Sequence, residues 1–304
     1  MLFDSRIIVL FLFIPHMEGK CFICWWELKK AHSGKDYMHH SSEKVYHFVK
    51  CQNCWTEMIH PMPDKKEIMS RYPSSYSAYH AVEGRKTLKE RMMNALKNLQ
   101  SVGRKFWLPK EKWAWRYFLD VGCGDWPSLG IMEKRWWNAF GFDIGEKSRK
   151  WNIFYWPNIS DVDFWWLQFD VIYLSHAMEH MEDPEWSLKK IHDLLKKWGK
   201  VILTTPNIDC RSSRYLGPYA LERDIPRHVI VHTMESATLL FKKCWFTVLE
   251  SKYLTQWLIY DWYVRRNKDL WRKSYSIMKI WFLIHRIFGK LIWKTNQMWF
   301  ILTK

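Results

Sequence analysis

At 304 residues the chain is long enough to bury the core of one large domain and to carry a small additional unit. Its net charge of +16, from 47 basic and 31 acidic side chains, favours nucleic acid, a phosphorylated substrate or an anionic membrane face as partner, although a solvated basic surface gives the same balance. No apolar run is long enough to span a bilayer, so no transmembrane helix is predicted.

The first 16 residues are set apart from the rest of the chain. An apolar run at residues 7–14 follows a single basic residue, Arg6. Two interpretations stay open: a leader peptide, or a start assigned too early, with Met17 as the true first residue. The second is favoured because a cysteine pair begins just after Met17.

Residues 17–60 predict a zinc-ribbon-like unit. Two C-x-x-C pairs, Cys21 with Cys24 and Cys51 with Cys54, are separated by 26 residues. Four thiolates suit a tetrahedral Zn²⁺, which is predicted to be structural because all four ligands come from the protein. A redox dithiol is the alternative, but it would not need two pairs. Four histidines could replace one ligand: His32, His39, His40 and His47.

The three other cysteines are scattered, which suits a reducing, cytoplasmic compartment better than a disulfide framework. Residues 61–112 are interpreted as a linker and a helical lid, because prolines end the cysteine unit and apolar residues at helical spacing predict a helix over residues 84–99. That helix either covers the neighbouring cleft or packs into the core.

Residues 117–121 predict a buried strand that runs into the turn Gly122-Cys123-Gly124. Asp143 ends a second apolar segment, residues 139–143. Glycines let a backbone approach a ligand closely, and a carboxylate at this spacing accepts hydrogen bonds from ribose hydroxyls. The pattern predicts a site for a cofactor that contains a nucleoside.

Strand and helix patterns alternate from residue 113 to the end of the chain. Further strands are predicted at 169–174, 200–204 and 246–253, and helices at 128–137, 146–151, 184–197 and 234–243. Continuous apolar runs indicate strands buried on both faces. The predicted fold class is α/β: a Rossmann-like doubly wound, mostly parallel sheet with an antiparallel last strand at residues 297–303.

Residues 257–293 are predicted to form a helical insertion in this domain. Within it and just beyond, residues 277–294 combine apolar and basic side chains in a helical pattern. Such a helix either packs on the sheet or lies on a membrane surface. A peripheral membrane contact is therefore kept beside the predicted cytoplasmic location.

The tryptophan content is anomalous. There are 22 Trp but only 12 Gly, about 4% glycine where roughly 7% is usual. Five tryptophans stand where turns favour glycine: Trp25, Trp55, Trp126, Trp198 and Trp245. Because tryptophan resists the positive φ of such turns, we hypothesise that the gene uses UGA for glycine and that UGA has been translated as tryptophan. A chain truly rich in tryptophan is the alternative.

The segment Leu119–Gly124 resembles the first motif of class I S-adenosylmethionine-dependent methyltransferases, and Asp143 matches their ribose-binding acid. Residues 158–164 lie where that family has an acidic segment facing the adenine. Residues 169–184 and 194–207 are similar to the family's fourth and fifth strands with their flanking turns. Pro226-Arg227-His228 resembles a subgroup that includes ubiquinone-type methyltransferases and members with an N-terminal zinc ribbon.

This resemblance implies S-adenosylmethionine as the cofactor and methyl transfer as the reaction. The cofactor-binding residues that it implies are Asp120, Gly122, Gly124, Asp143, Ile144, Asn158, Ile159 and Ser175. Two positions depart from the family pattern, since Trp126 replaces a third glycine and Asn158 replaces an aspartate. Cofactor affinity depends on the first of these departures above all.

Histidine titrates near working pH, so a histidine is predicted to remove the proton of a hydroxyl acceptor. The candidates are His180 and His228. Each has a structural alternative: His180 could cap the following helix and His228 could anchor a loop. Arg227 either neutralises an anionic substrate group or pairs with Asp224.

The predicted function is methyl transfer, at oxygen, to a small-molecule acceptor. An RNA acceptor is an alternative favoured by the net charge and the cysteine unit. An NAD-dependent Rossmann oxidoreductase shares the glycine turn and the acid, but would want a third glycine and a catalytic Tyr-Lys or Cys arrangement. A binding protein with an inactive site is the last alternative.

Overall fold

The computed structural model describes residues 19–72, 108–110, 115–124, 127–144, 153–155, 159–162, 164, 167–254 and 295–304. The predicted leader, the helices at 84–99 and 146–151, and the insertion at 257–293 with its amphipathic segment lie outside these residues. Of the helices that are described, none has the length and apolarity needed to cross a bilayer.

Strands and helices alternate along most of the described chain. The strands are β1 (Leu28–Gly34), β2 (Tyr46–Cys51), β3 (Glu57–Ile59), β4 (Tyr117–Val121), β5 (Asn138–Asp143), β6 (Ile153–Tyr155), β7 (Phe169–Ser175), β8 (Leu195–Pro206), β9 (Ile230–Val231), β10 (Thr247–Leu254) and β11 (Gln297–Thr303). The helices are α1 (Lys65–Ser70), α2 (Pro127–Glu133), α3 (Pro184–Leu194), α4 (Arg211–Leu216) and α5 (Met234–Lys243).

Seven strands form one large sheet in the order β10-β11-β8-β7-β4-β5-β6. The pairs between β8 and β6 are parallel, whereas β11 pairs antiparallel with both β10 and β8. Apolar residues of β4 and β7 point to both faces and are buried, as expected for a sheet covered on two sides. The predicted fold class, including the antiparallel last strand, is confirmed.

Element boundaries differ from the sequence prediction where tertiary pairing outweighs the local pattern. Helix α3 ends at Leu194 instead of residue 197, because Leu195 already pairs with Phe169 and begins strand β8. Strand β6 has only three residues and was not predicted. Helix α5 has the predicted limits, and its N-terminus carries a reciprocal capping box between Thr233 and Ser236.

A second sheet joins the cysteine unit to the distant part of the chain. Its order is β1-β2-β3-β9, and β3 pairs antiparallel with β9, which follows it by about 170 residues of sequence. Phe48 and Ile59 of the cysteine unit pack in one core with Val229 and Ile230, which lie at β9. The Thr56 hydroxyl also donates to the Val231 carbonyl at 3.0 Å.

Arg227 ties the cysteine unit to the segment that precedes β9. Its guanidinium is 0% exposed and donates to both carboxylate oxygens of Asp36, at 2.9 and 3.0 Å, and to both of Asp224, at 2.5 and 3.0 Å. It also donates to the Arg71 carbonyl at 2.9 Å. Burial alone would raise the pKa of Asp36, but the Arg227 guanidinium holds it well below its usual range. All three groups are therefore charged and mutually dependent.

Eight residues other than glycine have positive φ in the described part of the chain, and six of them are tryptophan. Trp25, Trp55, Trp198 and Trp245, all expected at glycine-like positions, have φ between +62° and +69°. Trp115 and Trp136 join them at +80° and +69°. The fifth expected position, Trp126, lies outside the described residues. A left-handed backbone costs an L-residue roughly 1–2 kcal/mol.

We predict that Arg227→Ala lowers the free energy of unfolding by about 3–5 kcal/mol, because it leaves two buried carboxylates without their cation. Urea denaturation followed by fluorescence measures the loss. Arg214→Ala is the matched control: Arg214 is 68% exposed and pairs with Asp209, so its removal is expected to cost less than about 1 kcal/mol. Equal, small losses for the two variants would contradict a structural role of Arg227.

Candidate functional site

The carboxyl ends of β4, β5 and β7 meet at one edge of the large sheet, since Val121 pairs with Phe142 on one side and with Leu174 on the other. Strand β4 ends there in the glycine turn. Gly122 has φ +77°, and a Cβ at this position would lie 2.9 Å from the Cβ of Ala177. Both the backbone and the contact therefore require glycine at this position.

Two buried carboxylates hold the glycine turn. Asp143, at the end of β5, accepts a hydrogen bond from the Gly124 N–H at 2.8 Å, and Asp120, inside β4, accepts one from the Ser128 hydroxyl. Burial raises the pKa of the Cys123 thiol between them, and the two negative charges raise it further, so the thiol is neutral. An edge lined by two carboxylates favours hydroxyl donors and cationic groups over a pyrophosphate.

Three further residues implied as cofactor contacts lie near the same edge. Ile144 follows Asp143 directly and packs on the same large core cluster that contains Ile159, which belongs to a short 3₁₀ turn, Ile159–Asp161. Ser175 ends β7, where its hydroxyl accepts a hydrogen bond from Thr204 at 3.3 Å. Asn158 lies outside the described residues.

His176 is a polar residue of this edge that the sequence prediction did not include. It follows β7 with φ +54°, in a region that residues other than glycine rarely adopt. Its Nδ1 donates to the Glu179 carboxylate at 3.1 Å, and its Nε2 lies 2.7 Å from the Gln297 amide nitrogen, which donates to it. The one sequence signal for a functional role of His176 is its position directly after an apolar strand, next to Ser175.

Glu179 is the buried acceptor of this group. Its side chain is fully buried, and its second oxygen accepts a hydrogen bond from the Thr205 hydroxyl at 3.0 Å. Burial alone would raise the pKa of Glu179, but the hydrogen bond from His176 and the nearby histidines lower it to about 2. The carboxylate is therefore ionised throughout the neutral range.

The structure brings the two predicted histidines together. The rings of His180 and His228 are T-shaped, with centroids 4.7 Å apart. His180 Nδ1 lies 2.8 Å from the Arg227 carbonyl and 3.0 Å from the Tyr72 hydroxyl, and His228 Nδ1 lies 2.8 Å from the Glu222 carbonyl. Because a carbonyl only accepts, each Nδ1 carries the proton and each Nε2 carries the lone pair in the neutral ring.

The surroundings of His180 keep its ring neutral. Burial and, next, the neighbouring His228 lower the pKa of His180 to about 4, against the opposing charge of Glu179. His228 Nε2 lies 4.0 Å from the Glu179 carboxylate. Arg227 is engaged with Asp36 and Asp224, so its pairing with Asp224 is confirmed and its guanidinium faces no substrate.

The four predicted cysteine ligands lie together in one cluster. The Sγ atoms of Cys21 and Cys54 are 3.7 Å apart, those of Cys24 and Cys51 are 3.4 Å apart, and all four lie within 4.8 Å of one another. A tetrahedral Zn²⁺ with bonds of about 2.3 Å places its sulfurs about 3.8 Å apart. The arrangement fits a zinc ion without any histidine ligand.

The pKa values of the thiols in this cluster diverge: the hydrogen bond to Cys21 and burial raise the pKa of Cys54, and burial raises that of Cys51, whereas the pKa of Cys21 is lowered. A hydrogen bond from the Cys54 thiol lowers the pKa of Cys21 to about 5, against the effect of burial. Metal binding requires thiolates, so a thiol that ionises readily favours it.

Comparison with protein families gives a match to a methyltransferase domain over residues 85–251, more than half of the chain. No curated protein matches the chain. Among solved structures, it is similar to a SAM dependent methyltransferase from Archaeoglobus fulgidus, with 16% identity, 68% of this chain and 94% of that one covered, and a TM-score of 0.47. It is also similar to an S-adenosylmethionine dependent methyltransferase from Mesorhizobium loti, with 14% identity, 67% of this chain and 96% of that one covered, and a TM-score of 0.44.

The family model matches over the segment that contains the glycine turn and its two acids, and the strand order of the large sheet agrees with it. The chain belongs to the methyltransferase-domain family and is an S-adenosylmethionine-dependent methyltransferase.

Proposed function

We propose that the enzyme transfers a methyl group to a hydroxyl oxygen of a small-molecule acceptor. The observation that carries this proposal is a glycine turn with two acids at the edge of the sheet, together with a pair of histidines in ring contact, each with its Nδ1 held by a backbone carbonyl. The glycine turn follows β4 and forms the first half, while His180, which follows the adjacent strand β7, and His228, which precedes β9, form the second half. A cofactor held by the first half would lie beside a proton acceptor in the second.

The residues of the first half suit S-adenosylmethionine. When bound, this cofactor supplies an electrophilic methyl group on a sulfonium. The acids of the turn suit its ribose hydroxyls and its positive charge, while the apolar residues suit its adenine. The proposed binding residues are Asp120, Gly122, Gly124, Asp143, Ile144, Asn158, Ile159 and Ser175.

Asp143→Asn is expected to weaken binding of S-adenosylhomocysteine about 10- to 100-fold in calorimetry, because a hydrogen bond to a charged acceptor contributes about 1.5–3 kcal/mol. Asp193→Asn is the control, since Asp193 is an exposed carboxylate at the end of α3 and should bind as the parent does. Unchanged affinity in Asp143→Asn would show that Asp143 does not bind the ribose.

His180 is the proposed general base, with His228 beside it as the second candidate. Its Nδ1–H is held by the Arg227 carbonyl, so that Nε2 presents a lone pair. The neutral ring is the form that accepts a proton, and burial keeps His180 in that form above about pH 4. Alignment of the acceptor with the methyl group would supply the remaining rate enhancement.

We predict that His180→Asn lowers methyl transfer about a hundredfold or more without loss of S-adenosylhomocysteine affinity. Methyl-labelled S-adenosylmethionine, incubated with a cell extract that is then separated into small molecules and RNA, measures transfer to each acceptor class. Label in the small-molecule fraction supports the proposal, and label in RNA alone would replace it with the RNA alternative, which the charge of +16 favours.

The same variant changes the pH dependence of stability. With a native pKa of about 4 against 6.5 in the unfolded chain, His180 is protonated only after unfolding in this window, so the parent loses stability as the pH falls from about 6.5 to about 4. His180→Asn should lose less over the same window, because Asn does not titrate. Equal losses in urea denaturation would show that His180 is not buried as a neutral ring.

We further propose that the cysteine cluster holds one structural Zn²⁺. All four positions are filled by protein sulfur, so the ion would have no open site for substrate. The two C-x-x-C turns of the cluster, its knuckles, contact helix α5 directly. The Thr233 hydroxyl at the N-terminus of α5 donates to the Cys54 carbonyl at 2.9 Å, and Lys243 donates to the Phe22 carbonyl at 2.6 Å.

Cys54→Ser is expected to abolish stoichiometric zinc in elemental analysis and to lower the melting temperature of the whole chain, because the second knuckle contacts α5. Cys244→Ser, at a buried cysteine outside the cluster, is the control that should keep its zinc. Full zinc content in Cys54→Ser would contradict the four-cysteine site.

A further inference from the structure

The strained tryptophans share one property: their side chains have little to do with the packing of the protein. All six are between 47% and 87% exposed. The buried tryptophans Trp137 and Trp299, by contrast, are 4% and 3% exposed and do not have positive φ. Every described tryptophan with a left-handed backbone is therefore exposed, whereas Trp26 and Trp186 are exposed without positive φ, so no side-chain packing explains the left-handed positions.

Two of the six occupy the glycine position of a recognised helix ending. After α2, Trp136 N–H donates to the Glu133 carbonyl at 2.9 Å and Trp137 N–H to the Met132 carbonyl at 3.1 Å. This bond pair defines a Schellman motif, with Trp136 at the position that is usually glycine. The ring of Trp136 gains no compensating burial, since it is 69% exposed.

The end of α5 repeats the motif. Trp245 N–H donates to the Lys242 carbonyl and Phe246 N–H to the Phe241 carbonyl, both at 3.0 Å. Trp245 has φ +66° and stands where Trp136 stands in the first motif. Two unrelated helices thus end in the same hydrogen-bond pattern with tryptophan in the place of glycine.

Two more belong to the cysteine cluster. Trp25 follows Cys24 and Trp55 follows Cys54, with φ of +63° and +62°. The two knuckles close with the same bond, from Cys21 N–H to the Trp26 carbonyl at 2.8 Å and from Cys51 N–H to the Thr56 carbonyl at 3.0 Å. In each turn the left-handed residue lies inside the loop that this bond closes, directly after the second cysteine.

From these observations we infer that the natural polypeptide carries glycine at positions 25, 55, 115, 136, 198 and 245, encoded by UGA. UGA differs from the tryptophan codon UGG only in its last base, so a reading of UGA as tryptophan produces this pattern and leaves true UGG tryptophans elsewhere. Two of the six glycines would complete the metal-binding knuckles. The same codon is expected at Trp126, the third small position of the cofactor turn in the sequence.

The deciding experiment is peptide mass spectrometry of the protein purified from its natural source, read beside the codons of its gene. We expect UGA and a glycine mass at the six positions, with UGG and a tryptophan mass at Trp137 and Trp299. Tryptophan masses at the six positions, or UGG codons there, would overturn the inference.

Recombinant variants test the physical basis separately. Trp136→Gly and Trp245→Gly should each raise Tm by roughly 2–4 °C, because glycine adopts the left-handed backbone without a Cβ clash. Trp186→Gly is the matched control: Trp186 is also exposed, at 61%, but lies within α3, so glycine there should lower Tm. A fall in Tm at both Schellman positions would count against glycine as the natural residue.

Discussion

The buried cluster of Arg227 with Asp36 and Asp224 is the interaction on which the arrangement of this protein depends. The side chain ties the cysteine unit to the segment between α4 and β9, while the backbone carbonyl of the same residue holds His180 Nδ1. Because a buried guanidinium is tolerated only with its carboxylates in place, the orientation of His180 is coupled to correct docking of the small sheet. The cysteine unit thus supports the candidate base through Arg227.

A second buried charge, Glu179, organises the opposite side of the histidine pair. It receives hydrogen bonds from His176 and Thr205 and faces His228, so residues from β8 and from the segments that follow β7 and precede β9 converge on one carboxylate. In a low-dielectric interior, such a network has little tolerance for rearrangement. Glu179 lies two residues after Ala177, which faces Gly122 of the turn, so this network is linked to the glycine turn by a short segment of chain.

Local patterns were sufficient for the parts of the structure that depend on near neighbours in sequence. The glycine turn, its flanking strand and the limits of α5 follow from short motifs, and the positive φ of Trp25, Trp55, Trp198 and Trp245 follows from turn chemistry. The extent of β8 and the strand β6 did not follow, because a strand's length is set by the neighbour it pairs with. His176 was missed because a single histidine after a strand has no periodic signature.

The sequence by itself determined the α/β class, the mostly parallel sheet, the glycine turn with its acids and the four cysteines, since each is encoded by spacing within a few dozen residues. Only the tertiary structure decided that β3 pairs with β9, that Arg227 is engaged by Asp36, and that His180 and His228 lie ring against ring. Those contacts join residues separated by about 50 to 190 positions. Their partners are selected by burial and charge compensation, which no local pattern records.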